Sequence, residues 1–492
     1  MTDTNTASVT IETPLGRVAG VREGDAVSFK GIPYAAPPVG PLRWRMPQPA
    51  APWSGTLDAS GFRDDCMQAD LPRLRGSGRS EDCLYLNIWT PAERSREPLP
   101  VLFWVPGGGF VGGSGSDRRA DSAKYAGMGV VVVTMTYRVG MFGYLAHPGL
   151  TEESDNGASG NYGLMDIVAA LEWVRDNIGA FGGDPGRVTA FGVSAGSASI
   201  GLLLTSPLVQ GLFQRTILQS PGVWRPLTPL DEAEAAGAGL SADLRTLRNM
   251  SAADLFAKTG SINPAVRAMT GPRTLRPIND GWSVIEDDRD SFKRGAFEAM
   301  PTIVGSNAEE GSLFTGTWPV KTPAEFQALL ATSFGDMAAE AATLYPGANE
   351  AEVAESLAFL FGDTQFTFGT WGIGQCTAAA GQPVWRYLLN RHPGGRAWPP
   401  KHGEDVTYTF GNLQHTDAQE GEIGPLDHAV SDSIMRSWVR FAYGEAPGGA
   451  DWAEVTTTSS PYRVLGDEIV TDEGWRADQI AFLDRYFDGR SD

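Results

Sequence analysis

Cysteine is scarce in these 492 residues: Cys66, Cys83 and Cys376 are the only three. That is too few for a disulfide framework, and the spacing suits no structural metal site. Cys66 and Cys83 are close enough in sequence to pair, and closing so short a loop would add about 3 kcal/mol, although a reducing cytoplasm works against such a bond. Long apolar runs are missing too. None reaches membrane-spanning length, and residues 1–9 are polar, with neither a basic start nor an apolar stretch. No membrane span or signal peptide is therefore expected, and the cytoplasm is the default location. Positive charge is in deficit: the formal charge is −20 and the isoelectric point near 4.7. With no Lys/Arg cluster standing out, nucleic acid is not an expected partner. Internal repeats and low-complexity linkers are also lacking, so one elaborated domain is the simplest account of the length. What remains is 42% hydrophobic, with 14 Trp and 22 Phe, enough for a large core and for pockets that suit a small neutral molecule. The oligomeric state is not legible.

Short continuous apolar runs bounded by Pro or Gly mark strands buried on both faces. They fall at residues 101–105, 130–134, 187–191, 215–218, 302–304 and 384–388. Between them Leu164, Ile167, Val168, Leu171, Val174 and Ile178 repeat at helical spacing. Strand, helix, strand alternation predicts an α/β fold with a mostly parallel central sheet and helices on both faces. Residues 226–300 and 317–381 interrupt it with helical patterns, and Thr228-Pro229 and Thr322-Pro323 place Pro at helix starts. We expect these two stretches to be cap insertions in a single domain spanning residues 1–492. Ile480 and Leu483 mark a last helix docked on the body.

Gly192-Val193-Ser194-Ala195-Gly196 follows the 187–191 strand and opens a run of small residues. In that strand–turn–helix context G-x-S-x-G predicts a nucleophile elbow, where flanking glycines permit a turn sharp enough to lift the Ser194 hydroxyl clear of the sheet. A serine needs a base, and five histidines are available. His402, in Lys401-His402-Gly403-Glu404-Asp405, lies in a polar loop after the 384–388 strand, at the sheet edge where function gathers. A metal site from His392, His402, Glu404 and Asp405 matches no spacing motif. The carboxylate that orients the base is Glu310 or its neighbour Glu309; Glu310 is preferred, and Ser194, Glu310, His402 is the chain order of α/β-hydrolases. Backbone N–H groups of Pro106-Gly107-Gly108-Gly109-Phe110, with that of Ala195, offer an oxyanion hole, and losing one such donor costs about 3 to 4 kcal/mol in the barrier. The same loop contains Gly107-x-Gly109-x-x-Gly112, a literal dinucleotide fingerprint that competes with this reading.

The chain resembles the type-B carboxylesterase and cholinesterase family of α/β-hydrolases over nearly its whole length. The resemblance rests on Phe29-Lys30-Gly31-Ile32-Pro33-Tyr34-Ala35 with Pro37-Pro38-Val39-Gly40, on Glu81-Asp82-Cys83-Leu84-Tyr85-Leu86-Asn87-Ile88, and on Asn161-Tyr162-Gly163-Leu164 through Phe181-Gly182-Gly183-Asp184-Pro185 to the elbow. It implies an α/β-hydrolase fold with Ser194, Glu310 and His402 as catalytic triad and Gly108, Gly109 and Ala195 as oxyanion hole. It also implies a supporting role for Ser220, a Cys66–Cys83 disulfide, and no metal or organic cofactor. The family's acid directly precedes a glycine, which selects Glu310. Two positions depart from the pattern: Val193 stands where Glu often precedes the serine, and Pro106 where the oxyanion loop often begins with His or Tyr. The first removes a negative charge beside the site and points away from cationic substrates, toward neutral, fairly apolar esters. Hydrolysis of carboxylic esters through an acyl-enzyme is the expected activity. Amide or carbamate cleavage uses the same triad, and a cholinesterase-like adhesion protein would lack part of it. Phe110, Trp224, Phe314 and Trp318 are candidates to line the pocket.

Overall fold

The computed structural model describes residues 7–262, 269–395, 398–416, 421–448 and 451–489. The apolar runs become strands because both of their faces are covered. In Leu99–Val105 the side chains of Val101, Phe103 and Val105 enter one core cluster, while Leu102 and Trp104 enter another on the opposite face. The neighbouring strand divides the same way, with Val131 and Val133 on one side and Val132 on the other. This two-sided burial is why the sequence reads as continuous rather than alternating hydrophobicity.

Thirteen strands form one sheet among the described residues. Its centre is parallel, running Val131–Met135, Leu99–Val105, Gly183–Val193, Arg215–Gln219, Thr302–Asn307, Val384–Leu389 and Tyr462–Leu465 from neighbour to neighbour. Antiparallel strands extend both margins, with Tyr85–Pro91 beside Val131–Met135 and Ile469–Asp472 beside Tyr462–Leu465. The Tyr162–Asn177 helix and the final Ala477–Asp488 helix pack on the first core through Leu164, Ile167, Leu171, Val174, Ile480 and Leu483. Helix Pro425–Ala442 covers the second with Val430, Ile434, Trp438 and Phe441. Helices therefore lie on both faces.

Both interrupting stretches are helical. The second opens at Pro323–Phe334, where Thr322 and Glu325 form a reciprocal capping box and Pro323 takes the first turn. In the first, Pro229 stands just outside helix Leu230–Ala238 rather than in its first turn, because Pro229 is held in a bridge to Asn279. Farther along, helix Glu350–Gly362 passes into helix Phe368–Ala379 through a π-helical turn at Asp363–Thr367, a widening of the helix frequent at functional sites. No described helix is long and apolar enough to cross a membrane.

Candidate active site

Because the central strands are parallel, their C-terminal ends meet at one edge, and the loops leaving that edge carry the candidate residues. Gly183–Val193 ends at Ser194, whose backbone is held at φ 56°, ψ −122°, before helix Ala195–Leu204 begins. A non-glycine residue in that region is strained. The turn is fixed by Ser194 N donating to the Gln219 carbonyl at 2.9 Å. The flanking glycines are needed because the neighbouring strand passes so close: a Cβ on Gly192 would lie 2.7 Å from the Val105 carbonyl oxygen, and one on Gly196 2.1 Å from the same atom.

His402 is buried, and its Nδ1 lies 2.5 Å from Glu310 Oε2. The other carboxylate oxygen, Oε1, accepts from Ser220 Oγ and from Asn307 N, each at 2.6 Å. Glu310 is thus held on both oxygens. A glycine follows it because a Cβ at Gly311 would fall 1.8 Å from the Ala358 carbonyl oxygen. Glu309 turns elsewhere and accepts from Gly311 N and Ser312 N at 2.7 Å, and from Ser312 Oγ, at the start of the Ser312–Thr315 turn. Phe366, delivered by the π-helical turn, stacks on the His402 ring at 4.2 Å, and Phe314 lies at 5.0 Å. His402 Nε2 is buried without a hydrogen-bond partner.

Ser194 and His402 line one cavity of about 490 Å³, together with Gly107, Gly108, Gly109 and Val193. Gly108 and Gly109 have φ 143° and 63°, and a Cβ on Gly108 would sit 2.1 Å from the Gly112 carbonyl oxygen. The loop closes on itself, with Val111 N and Gly112 N both donating to the Gly108 carbonyl. Pro106 does not disturb it: its carbonyl accepts from Tyr137 Oη at 2.9 Å. Ala195 is the first residue of its helix, so its N–H has no intrahelical acceptor. The dinucleotide reading fails on this geometry, since the next element after the loop is a three-residue 3-10 turn at Arg118–Ala120 rather than the helix that would hold a pyrophosphate.

His392 meets a different carboxylate from His402, its Nε2 3.1 Å from Glu404 Oε1, and no group of three or more His, Cys, Asp or Glu among the described residues is arranged to hold a metal ion. Of the four aromatic candidates Phe314 lines the cavity. Phe110 packs on Tyr144, Trp224 on Phe368 and Trp318 on Phe361, all within the core. Cys66 and Cys83 are joined in a disulfide.

Three features had no local signal in the sequence. Asp405 is buried behind His402, its Oδ2 accepting from Gln219 Nε2 at 2.7 Å and Tyr387 Oη at 3.1 Å. Burial first, and then the charge of Glu310, push its carboxyl group above the usual range. Phe366 meets His402 only because a helix from the second interruption reaches the sheet edge. Arg73, Asp117, Arg119 and Lys401 also line the cavity. Burial would raise the Asp117 carboxyl group, yet the guanidinium charges of Arg119 and Arg73 and the hydrogen bonds from Arg119 hold it below its ordinary value.

The carboxylesterase family model matches residues 7–483. The chain is 47% identical over 442 residues to a fumonisin B1 esterase from Sphingopyxis macrogoltabida, covering 88% of this chain and 82% of that one. It is 34% identical over 487 residues to the para-nitrobenzyl esterase of Bacillus subtilis (strain 168), covering 93% and 95%. A solved PNB esterase structure superposes with a TM-score of 0.86 at 32% identity, covering 96% of this chain and 99% of that one. With an α/β-hydrolase sheet, an elbow serine and these relatives, the chain belongs to the carboxylesterase family, a carboxylic ester hydrolase whose reactants are a small-molecule ester and water.

Proposed function

We propose that Ser194 is the nucleophile, His402 its base, Glu310 the group that orients His402, and the N–H groups of Gly108, Gly109 and Ala195 the oxyanion donors, with Ser220 supporting Glu310. The observation that carries this reading is the His402–Glu310 contact of 2.5 Å, which leaves Nε2 unpartnered in a residue lining the same cavity as Ser194. Ser194 Oγ attacks the ester carbonyl carbon as its proton passes to Nε2, and the carbonyl oxygen becomes an oxyanion within reach of the three N–H groups. Collapse expels the alcohol, which takes the proton from Nε2 and leaves an acyl-Ser194. Water then attacks the acyl carbon, gives a proton to Nε2, and the second collapse returns it to Ser194 as the acid departs. Glu310 faces the His402 ring through Nδ1 and stabilises the imidazolium.

We further propose one domain, with residues 226–300 and 317–381 as a cap over the sheet edge, acting on free substrate without membrane or nucleic acid. The cytoplasm remains the proposed location. The Cys66–Cys83 bond weighs against it, and thiol titration of protein recovered from its own cell tests it. For the mechanism, an organophosphate should label Ser194 stoichiometrically, and Ser194→Ala should abolish turnover of a short p-nitrophenyl ester with circular dichroism unchanged. Retained turnover would refute the assignment.

A further inference from the structure

On the mechanism above, His402 becomes an imidazolium twice in each turnover, once as Ser194 attacks and once as water does. Glu310 meets that charge at the Nδ1 edge of the ring. The face of the ring is met by a group with no charge: the phenyl ring of Phe366, with centroids 4.2 Å apart and planes 25° from parallel. Phe314 lies at 5.0 Å and 58°, tilted rather than stacked. Phe314 lines the cavity that holds Ser194, whereas Phe366 is not part of that lining. Phe366 therefore reaches a reactant in that cavity only through His402.

Its place is tightly determined. Phe366 is buried in the π-helical turn Asp363–Thr367, and the extra residue such a turn carries rotates the side chains after it by about 100° relative to an unbroken α-helix. Asp363 accepts from Arg476 Nε and from Tyr345 Oη, each at 2.9 Å, and Gln365 Nε2 donates to the Met269 carbonyl at 3.0 Å. Gly362, at the entry to the turn, lies against the other member of the pair, since a Cβ there would come 3.1 Å from Glu310 Cβ. One irregular turn thus abuts both His402 and Glu310.

We propose that Phe366 is a positioning residue for His402, and that its aromatic face stabilises the imidazolium in both half-reactions. The proposal rests on the Ser194–His402 mechanism and adds to it an uncharged partner for the base. A cation over an aromatic face is attracted by the ring quadrupole, most strongly where water is excluded, and both rings are buried. The ionisable groups nearby are engaged independently of Phe366. Asp405, behind His402, is held by Gln219 and Tyr387; Glu309 is turned onto residues 311 and 312, and Glu404 onto His392. On the side of the π-turn Asp363 is matched by Arg476, and Arg225 donates to Gln365 and the Gly222 carbonyl. Lys401 is exposed. All of these keep their charge when the phenyl ring is altered, so a change in pH dependence belongs to the ring.

Replacing Phe366 by pentafluorophenylalanine keeps the ring's shape and reverses its quadrupole. For a short p-nitrophenyl ester, kcat per organophosphate-labelled site should fall about tenfold, and the acidic limb of the kcat/KM profile should move about one pH unit lower, because the protonated base has lost its support. Phe366→Leu keeps apolar bulk without a quadrupole, and should shift both in the same direction by about threefold and about half a unit. Wild-type kcat or an unmoved acidic limb in the pentafluorophenylalanine enzyme overturns the proposal, whatever Phe366→Leu does, since a ring that only fills space has no reason to move the limb. If the wild-type protein labels stoichiometrically at Ser194 in that case, the triad stands and only the role of Phe366 falls. If wild-type labelling fails, the Ser194 mechanism falls and this proposal with it.

Discussion

Two histidine–carboxylate pairs lie ten residues apart in this chain and differ in what they leave open. His402 binds Glu310 through Nδ1, its ring is stacked on Phe366, and Nε2 has no partner. His392 meets Glu404 through Nε2 at 3.1 Å and its own Pro393 carbonyl through Nδ1 at 3.0 Å, so both ring nitrogens are engaged with oxygen acceptors. Both rings are buried. On the assignment proposed above, a buried imidazole paired with a carboxylate is not sufficient for base catalysis. What separates the two is the ring nitrogen used: pairing through Nδ1 orients the ring and frees the other nitrogen for a reactant.

The largest expected effect tests that difference directly. His402→Gln should lower kcat for a p-nitrophenyl ester by about 10⁴-fold, the scale of losing a triad member. His392→Gln, compared at equal folded fraction, should stay within about tenfold, the scale of a structural perturbation. Comparable losses in the two variants would erase the distinction. The adjacent carboxylates sharpen it next. Glu310→Gln keeps the side-chain shape but not the charge facing His402, and kcat should fall about 10³-fold or more. Glu309→Ala removes the acceptor of two backbone N–H groups and should instead cost about 1 kcal/mol of stability in a denaturant titration, as other N-terminal caps do, with kcat little changed.

These contrasts explain what was legible beforehand. The strand runs and the glycine loop at residues 107–109 were readable because each is a local demand of the backbone: a Cβ on Gly108 meets the carbonyl oxygen of Gly112, four residues on, at 2.1 Å. The elbow glycines were readable as a short motif, although the Val105 carbonyl that excludes a Cβ at Gly196 comes from a neighbouring strand. The choice between Glu310 and Glu309 was not local. Gly311 is required by the Ala358 carbonyl, which comes from a helix nearly fifty residues later, and only the family pattern carried that information into the sequence. Phe366, Asp405 and the Arg73–Asp117–Arg119 trio were illegible for the same reason. Their roles arise from contacts between distant segments, and nothing in their neighbours announces them. Trp224 and Trp318 show the converse: both lie close in sequence to candidate site elements, yet both are in the core and neither lines the cavity.

Ser220 gives the smallest effect and the finest test of the comparison. It sits at the end of Arg215–Gln219 with φ 48°, its N–H donating to the Gly305 carbonyl at 2.7 Å and its hydroxyl to Glu310 Oε1 at 2.6 Å. Asn307 N supplies a second donor to the same oxygen. Ser220→Ala would therefore loosen the Glu310 carboxylate without releasing it, and the loss should be one hydrogen bond to a charged group, about 1.5 kcal/mol or roughly tenfold in kcat. The loss should fall on kcat with KM unmoved, because the orientation of His402 matters in the transition state and not in ground-state binding. A lowered unfolding midpoint with kcat intact would make Ser220 a packing residue. A fall in kcat alone would show that the His402–Glu310 pair depends on how firmly its carboxylate is held as well as on its free nitrogen.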